Sequence, residues 1–282
     1  KAEGIERTKR RFPSPAVLHA IISYARNAER SISEVLAEKY PHWSDLADTV
    51  ARIAEDYAHR KKEANAMDFD DLLVNLSTLL LNNVSVQNAY AGQFKYVLVD
   101  EYQDTNKIQA SIIHRFALIH QNVLVVGDDA QSIYSFRAAD IKNILDFEKI
   151  YPDARVFRLE TNYRSTPDIL DVANVVIEQN RNQYQKKLRS LRDRFTKPEV
   201  YAFADAMEEA EFIAERILEL RDEGVSLPHV AVLFRAAFHS QALELELTKR
   251  DIPYEYRGGV RFFERAHVKD VLAYLRVFHN KN

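Results

Sequence analysis

The sequence predicts an α/β protein in which a parallel sheet follows an all-helical N-terminal segment. Residues 96–99 and 122–126 form short, continuous apolar runs, which are typical of strands buried on both faces of a sheet. Helical sequence lies between these runs, and strands and helices continue to alternate after them. Such alternation is the pattern of parallel α/β architecture.

The N-terminal segment, residues 13–66, is predicted to be helical throughout, because apolar side chains recur at helical spacing and only Pro41 interrupts them. Another helix is expected from residue 69, and its apolar side is Phe69, Leu72, Leu73, Leu76, Leu79 and Leu80. Further helices are predicted from about Lys107, Pro167, Met207 and His239. Further strands are predicted at residues 155–159, 199–203, 229–234 and 254–256.

Composition excludes some classes of protein. The 282 residues suggest about two domains, at roughly 150 residues each. The absence of cysteine excludes disulfides and cysteine-ligated metals. No apolar run approaches the ~20 residues of a membrane-spanning helix. The net charge of -3 leaves DNA binding open, because binding depends on the local potential of a groove.

The first candidate site is Asp100-Glu101, directly after the strand at 96–99. A parallel strand brings such acids to the carboxyl edge of its sheet, where α/β proteins bind ligands. In nucleotide hydrolases the first acid holds Mg²⁺, and the second orients and deprotonates the attacking water. The alternative is that two acids end a strand by chance.

The second candidate site follows the strand at 122–126. Gln131 is placed to reach a terminal phosphate, while Tyr134, Phe136 and Arg137 combine stacking faces with a cation. Single-stranded nucleic acid is bound by this combination. The alternative is a turn whose aromatic side chains pack in the core.

The third candidate site, residues 159–165, contains Tyr163 as a face for a base and Arg164 as a planar fork for phosphate. The alternative is a helix entry in which Ser165 or Thr166 caps a helix from Pro167, and both interpretations can hold together. The basic stretch from Lys186 to Arg194 is interpreted as a solvated loop and not as a dedicated DNA patch.

These three segments, in this order and spacing, resemble motifs II, III and IV of superfamily 1 DNA helicases of the UvrD, PcrA and Rep type. Residues 67–73, 230–235, 252–254 and 258–265 extend the resemblance over nearly the whole chain. The resemblance implies partial RecA-like motor domains preceded by an all-helical insertion. It divides the chain into residues 1–66 (the insertion), 67–156 (the end of the first motor domain) and 157–282 (the start of the second).

The resemblance also implies roles in ATP hydrolysis. Asp100 would bind Mg²⁺ and Glu101 would be the catalytic base. Gln131 would sense the γ-phosphate, Arg164 would be an arginine finger, and Tyr163 would stack on adenine. ATP and Mg²⁺ are therefore the implied cofactors.

For DNA, the resemblance assigns Tyr134, Phe136 and Arg137 to single-stranded DNA and makes Gln103 the link between motifs II and III. Single-stranded DNA and its junctions with duplex are the implied partners, with 3′→5′ polarity and a cytoplasmic, nucleoid-associated location. Two residues depart from the family pattern, since many relatives have tryptophan at Phe136 and glycine at Ala138.

No glycine of the 282 residues is followed by lysine, so a G-x-x-x-x-G-K-[ST] phosphate loop is absent, and so are motifs V and VI. The resemblance therefore implies an internal fragment of a longer helicase, with no ATP hydrolysis on its own. Two alternatives remain open: the motor region of a helicase–nuclease, and a non-enzymatic interaction module.

Overall fold

The structure is a computed structural model that describes residues 12–257 and 266–279, so the predicted motor-domain segment 258–265 lies outside the described residues. The chain divides into two compact units, Lys1–Lys197 and Pro198–Asn282. Among the described helices, none is long and apolar enough to cross a membrane.

The first unit begins with three helices, α1 (Pro15–Asn27), α2 (Ile32–Lys39) and α3 (Ala47–Glu63), with a 3-10 turn at Pro41–Leu46 before α3. The expectation that only Pro41 interrupts this segment is wrong. The chain also breaks after α1, where Glu29 has a left-handed φ of 52°, and Ser31 and Glu34 form a capping box that starts α2. The buried core of the three helices is Ile21, Ala25, Val35, Leu36 and Val50.

Two helices lead into a parallel pair of strands. The elements are α4 (Phe69–Asn82), α5 (Val84–Gln93), β1 (Val97–Val99), α6 (Lys107–Ala117) and β2 (Val123–Val125). β1 and β2 are parallel, with Val97 opposite Val123 and Val99 opposite Val125. The two predicted strands and the helix between them are confirmed.

The expectation that these strands are buried on both faces is wrong. Val99, Val123 and Val125 pack against the cluster of Tyr102, Ile144 and Phe147, but Leu98 is 71% exposed and Leu124 55% exposed. Because side chains alternate along a strand, only one face is covered in the part of the chain that the structure describes.

After β2 the first unit contains α7 (Lys142–Leu145), α8 (Phe147–Ile150), β3 (Thr161–Asn162), α9 (Pro167–Ile177) and β4 (Arg189–Ser190). The helix predicted from Pro167 begins there. The strand predicted at 155–159 is not formed, because those residues have no ladder partner among the described residues. Pairing begins further on, where β3 and β4 run parallel.

The second unit contains α10 (Ala206–Asp222), α11 (Ser240–Lys249) and α12 (Ala266–His279). The helices predicted from Met207 and His239 begin within one residue of those positions. The core lies between α10 and α11, and its buried residues are Ala210, Ala214, Ile217, Leu243, Leu247 and Ile252.

The strands predicted at 199–203, 229–234 and 254–256 are absent from the second unit as described. Residues 230–234 and 254–256 line one cavity of about 860 Å³, and the rings of Phe234 and Tyr256 stack with centroids 5.8 Å apart. The two segments therefore meet through side chains, without the backbone hydrogen bonds that would make a sheet.

Candidate functional site

The site is built on the loops that follow β1 and β2. Val126 N donates to Val99 O at 2.8 Å, and Tyr102 N donates to Val126 O at 3.0 Å. The parallel register thus continues past the strand ends. It brings the first and second candidate segments to one edge of the sheet, where α/β proteins bind ligands.

Asp100 and Glu101 are both exposed at this edge. Glu101 has a φ of 50°, a left-handed conformation that is strained for a non-glycine residue and recurs at functional sites. Asp100 Oδ1 accepts a hydrogen bond from Glu101 N at 2.9 Å, and no described residue donates to Oδ2. One exposed carboxylate oxygen fits Mg²⁺, which is usually held by one or two carboxylates together with substrate phosphates.

Gln103 joins the two loops. Its side chain is buried, with 1% exposure. Nε2 donates to Glu101 Oε2 at 2.8 Å, and Oε1 accepts from Asp128 N at 3.0 Å. The link that the sequence predicted for Gln103 is therefore present, and it fixes the carboxylate of Glu101 against the second loop.

Gly127 is needed for this close approach. A Cβ atom at this position would lie 2.5 Å from Gln103 Oε1 and 2.8 Å from Ile144 Cδ1. Any other residue would displace the amide that holds Glu101.

Asp104 adds a third carboxyl to the first loop, after those of Asp100 and Glu101. Burial, and then the nearby charge of Glu101, raises the pKa of Asp104. Its Oδ1 atom is buried and has no hydrogen-bond partner among the described residues. No local sequence signal singles out Asp104, because its burial depends on the packing of the loop.

Asp128 is the centre of the second loop. Its Oδ1 accepts from Ala130 N at 3.0 Å and from Lys186 Nζ, while its Oδ2 accepts from Gln131 Nε2 at 2.8 Å. Burial acts to raise the pKa of Asp128, but the hydrogen bonds, led by that from Lys186, outweigh burial and hold the pKa below its usual value. Asp128 is therefore an anion that orients Gln131.

Lys186 was missed as a functional candidate, and its interpretation as part of a solvated loop is wrong. Its side chain is 16% exposed and also contacts Asp129 Oδ1 at 2.9 Å. Burial would lower the pKa of Lys186, but the hydrogen bonds to Asp128 and Asp129 hold it above its usual value. The contact joins residues 58 positions apart, so no local sequence signal could have revealed it.

Tyr134, Phe136 and Arg137 form one exposed group. The rings of Tyr134 and Phe136 lie 5.9 Å apart, and the Arg137 guanidinium carbon is 5.6 Å and 5.5 Å from their centroids. Phe136 is 53% exposed, so the alternative in which these aromatic side chains pack in the core is wrong. The adjacent Ala138 has a φ of 66°, in the region that favours glycine.

Tyr163 and Arg164 are exposed in the turn between β3 and α9. Asn162 Oδ1 accepts from Arg164 N at 2.9 Å, and Arg192 Nε donates to Tyr163 O at 3.1 Å. Among the described residues, neither side chain has a hydrogen bond or ion pair with the loops after β1 and β2. Thr166 occupies the N-cap position of α9 but makes no side-chain cap bond, so the predicted capping by its hydroxyl is wrong.

Comparison with known proteins gives the same family over both halves of the chain. Residues 3–152 match the UvrD/REP helicase N-terminal domain, and residues 157–282 match the UvrD-like helicase C-terminal domain. The boundary between these matches differs from the division between the two compact units.

Two relatives are proteins named ATP-dependent DNA helicase PcrA. That of Staphylococcus epidermidis is 36% identical over 282 residues, which is 100% of this chain and 38% of that protein. That of Staphylococcus aureus is 37% identical over 268 residues, which is 95% of this chain and 36% of that protein. The chain thus spans little more than a third of the length of these relatives. Because the N-terminal match alone covers more than half of its residues, the chain belongs to the UvrD/REP helicase family.

Proposed function

We propose that this chain is part of an ATP-dependent DNA helicase, in which it supplies catalytic residues for ATP hydrolysis and contacts for single-stranded DNA. The observation that carries the proposal is the bridge made by Gln103. It ties the carboxylate of Glu101 to the loop that orients Gln131. A general base and a phosphate-sensing amide, held together at one edge of the sheet, are two of the groups that nucleotide hydrolysis requires.

In this proposal Glu101 is the general base and takes a proton from the attacking water. Gln131 contacts the γ-phosphate, because its second amide hydrogen and its Oε1 atom make no hydrogen bond with the described residues after Nε2 donates to Asp128. Asp100 holds Mg²⁺, which supplies charge neutralisation on the β- and γ-phosphates when bound. The phosphate loop itself must come from outside these 282 residues, and we expect the chain alone to be inactive.

Tyr163 and Arg164 complete the nucleotide site from a second motor domain. Tyr163 stacks on adenine, and Arg164 stabilises charge on the transferred phosphoryl group. Their exposure, without ion pairs to the described residues, leaves both side chains available for a ligand. The proposed domains are residues 1–66, 67–156 and 157–282.

Tyr134, Phe136 and Arg137 contact single-stranded DNA. Two exposed rings with a guanidinium beside them suit successive bases and the phosphate backbone. We infer that the whole protein acts at junctions of single-stranded and duplex DNA, with 3′→5′ polarity. We also infer that the whole protein is cytoplasmic and associated with the nucleoid.

The direct test uses the whole protein and measures ATP hydrolysis with and without single-stranded DNA. Glu101→Gln is expected to lower kcat by about 10²–10⁴-fold, the usual contribution of a general base, while nucleotide binding and the melting temperature stay near wild type. Turnover by Glu101→Gln at the wild-type rate would show that the site is not hydrolytic.

A further inference from the structure

Asp128 accepts hydrogen bonds from both Gln131 and Lys186. Its Oδ2 atom accepts from Gln131 Nε2, and its Oδ1 atom accepts from Lys186 Nζ. The ammonium of Lys186 also lies 2.9 Å from Asp129 Oδ1. A substitution at Lys186 is therefore expected to affect Gln131 through the carboxylate of Asp128.

The orientation of the Gln131 amide follows from this carboxylate. An ionised aspartate only accepts hydrogen bonds, so the amide must turn its nitrogen towards Asp128. The other hydrogen of Nε2 and the Oε1 atom then face away from Asp128. If Asp128 were protonated or rotated, its carboxylate would no longer hold the Gln131 amide in that orientation.

Lys186 keeps Asp128 ionised and fixed. Asp128 and Asp129 are adjacent, and the side chain of Asp129 is buried, so their negative charges oppose each other unless a cation lies between them. Lys186 supplies that cation, and Tyr184 N adds a hydrogen bond to Asp129 Oδ2 at 3.0 Å. Removal of one partner from a buried ion pair leaves the charge of the other partner uncompensated. Loss of the Lys186 ammonium would therefore leave the charges of Asp128 and Asp129 without their cation.

We propose that Lys186 is a positioning residue for ATP hydrolysis, which acts through Asp128 to orient the side-chain amide of Gln131. This inference rests on the proposed function of the site. Lys186 lies among the residues that match the C-terminal helicase domain, while Asp128 and Gln131 lie among those that match the N-terminal domain. The orientation of Gln131 consequently depends on a contact between the two matched segments.

The test is a double-mutant cycle in the whole protein, with kcat and KM for ATP measured at saturating single-stranded DNA. Lys186→Ala is expected to lower kcat by about tenfold, with KM changed less than about threefold. In a Gln131→Ala background the same substitution should have no further effect on kcat, because its target is gone. Lys186→Arg, which keeps the charge and the donors, should recover most of the activity.

Lys187→Ala is the matched control, because Lys187 is the exposed neighbour and its side chain has no ion pair with the described residues. It should leave kcat unchanged. If Lys186→Ala fails to fold, Lys186→Met retains the aliphatic stem and replaces it in the cycle.

The outcomes separate this inference from the proposed function. Equal losses of kcat from the Lys186 substitution in both backgrounds, or no loss in either, would overturn the role of Lys186 and leave a hydrolytic site in place. Normal turnover by both Glu101→Gln and Gln131→Ala would instead overturn the proposed function on which the inference rests.

Discussion

The exposure of Phe136 distinguishes a role in ligand binding from a role in core packing. Phe136 lies in a 3-10 turn, Ser135–Arg137, that follows β2 in the chain. Its ring contacts Tyr134 and the Arg137 guanidinium. More than half of its surface is left exposed, so a base can stack on it without any rearrangement of the core.

Phe136→Ala in the whole protein is therefore expected to weaken single-stranded DNA binding by about 1–3 kcal/mol, the typical contribution of a base stacked on an aromatic ring. The free energy of unfolding should change by less than about 1 kcal/mol, because the side chain is not in the core. DNA titration by fluorescence anisotropy and urea unfolding measure the two quantities.

Phe136→Trp is the matching variant. It supplies a larger aromatic face, and the affinity for single-stranded DNA should equal or exceed that of wild type. Unchanged affinity in Phe136→Ala, with a large loss of stability, would make Phe136 a packing residue.

At the scale of elements, the two loops after β1 and β2 approach so closely that the second needs a glycine at position 127. Gly127 is adjacent to the amide of Gln103 and to Ile144. Gln103 in turn holds Glu101. The contact between Gly127 and Gln103 therefore determines both the packing of the two loops and the position of the Glu101 carboxylate.

Gly127→Ala should destabilise the chain by about 1–3 kcal/mol, the usual cost of inserting a methyl group into a packed region. It should also lower kcat of the whole protein, because Gln103 must move away from Glu101. Gly92→Ala is the control. Among the described residues, a Cβ atom at Gly92 would meet only Ile119 Cδ1, at an ordinary 3.8 Å. Alanine within α5 should therefore stabilise the chain by roughly 0.5–1 kcal/mol. Urea unfolding of both variants tests this contrast, and equal effects at the two glycines would contradict it.

At the scale of the whole molecule, a network of charges fastens the N-terminal helices to α4. Asp71 Oδ1 accepts a hydrogen bond from the Arg26 guanidinium of α1 at 2.6 Å. Its other carboxylate oxygen, Oδ2, lies 2.6 Å from Lys61 Nζ of α3. Lys61 also contacts Asp68, which caps α4, at 2.5 Å. Burial would raise the pKa of Asp71, but the hydrogen bonds from Lys61 and Arg26 outweigh burial and pull the pKa well below its usual value.

A second contact in the same region reaches the candidate site. Asn27, at the end of α1, donates to Asp70 at 2.7 Å and accepts from Asn106 Nδ2 at 2.8 Å. Asn106 caps α6 and follows the loop that contains Glu101 and Gln103. The helical segment is therefore attached to the α/β segment by polar contacts at both α4 and α6.

The network predicts a pH dependence of stability. A carboxyl whose pKa is depressed by folding stabilises the folded state at pH values above its unfolded pKa, about 3.9 for aspartate. That contribution is lost as the pH falls from there through the folded pKa. The free energy of unfolding should consequently fall between about pH 5 and pH 2. Asp71→Asn should be less stable at pH 7 and show a flatter dependence over that range.

Unfolding in urea at pH 7, 4 and 3 measures this effect. Asp193→Asn is the control, because Asp193 is exposed and has no ion pair with the described residues, and its curve should follow wild type. If the free energy of unfolding of Asp71→Asn depended on pH as strongly as that of wild type, the charge network around Asp71 would not be the source of the pH dependence.

The sequence by itself determined the elements whose signals are local. Periodic apolar residues, the Pro167 start of α9 and the apolar runs of β1 and β2 each depend on neighbours a few positions away, and these elements were predicted within a few residues. The acids after β1 and the glutamine after β2 could be proposed as candidates for the same reason, since a strand end is visible in the sequence. The family resemblance rested on the same segments.

Tertiary structure decided whatever depends on partners distant in the chain. Residues 155–159, 199–203, 229–234 and 254–256 are apolar enough for strands, but a strand forms only where a second backbone completes the ladder, and that pairing is not encoded locally. Lys186 is one of several cations in a basic stretch, and only folding places it between Asp128 and Asp129. Burial and charge pairing are properties of the packed molecule. For this reason the contacts of Asp128 with Lys186 and Gln131 became visible only in the structure, whereas the family resemblance had already implied the link made by Gln103.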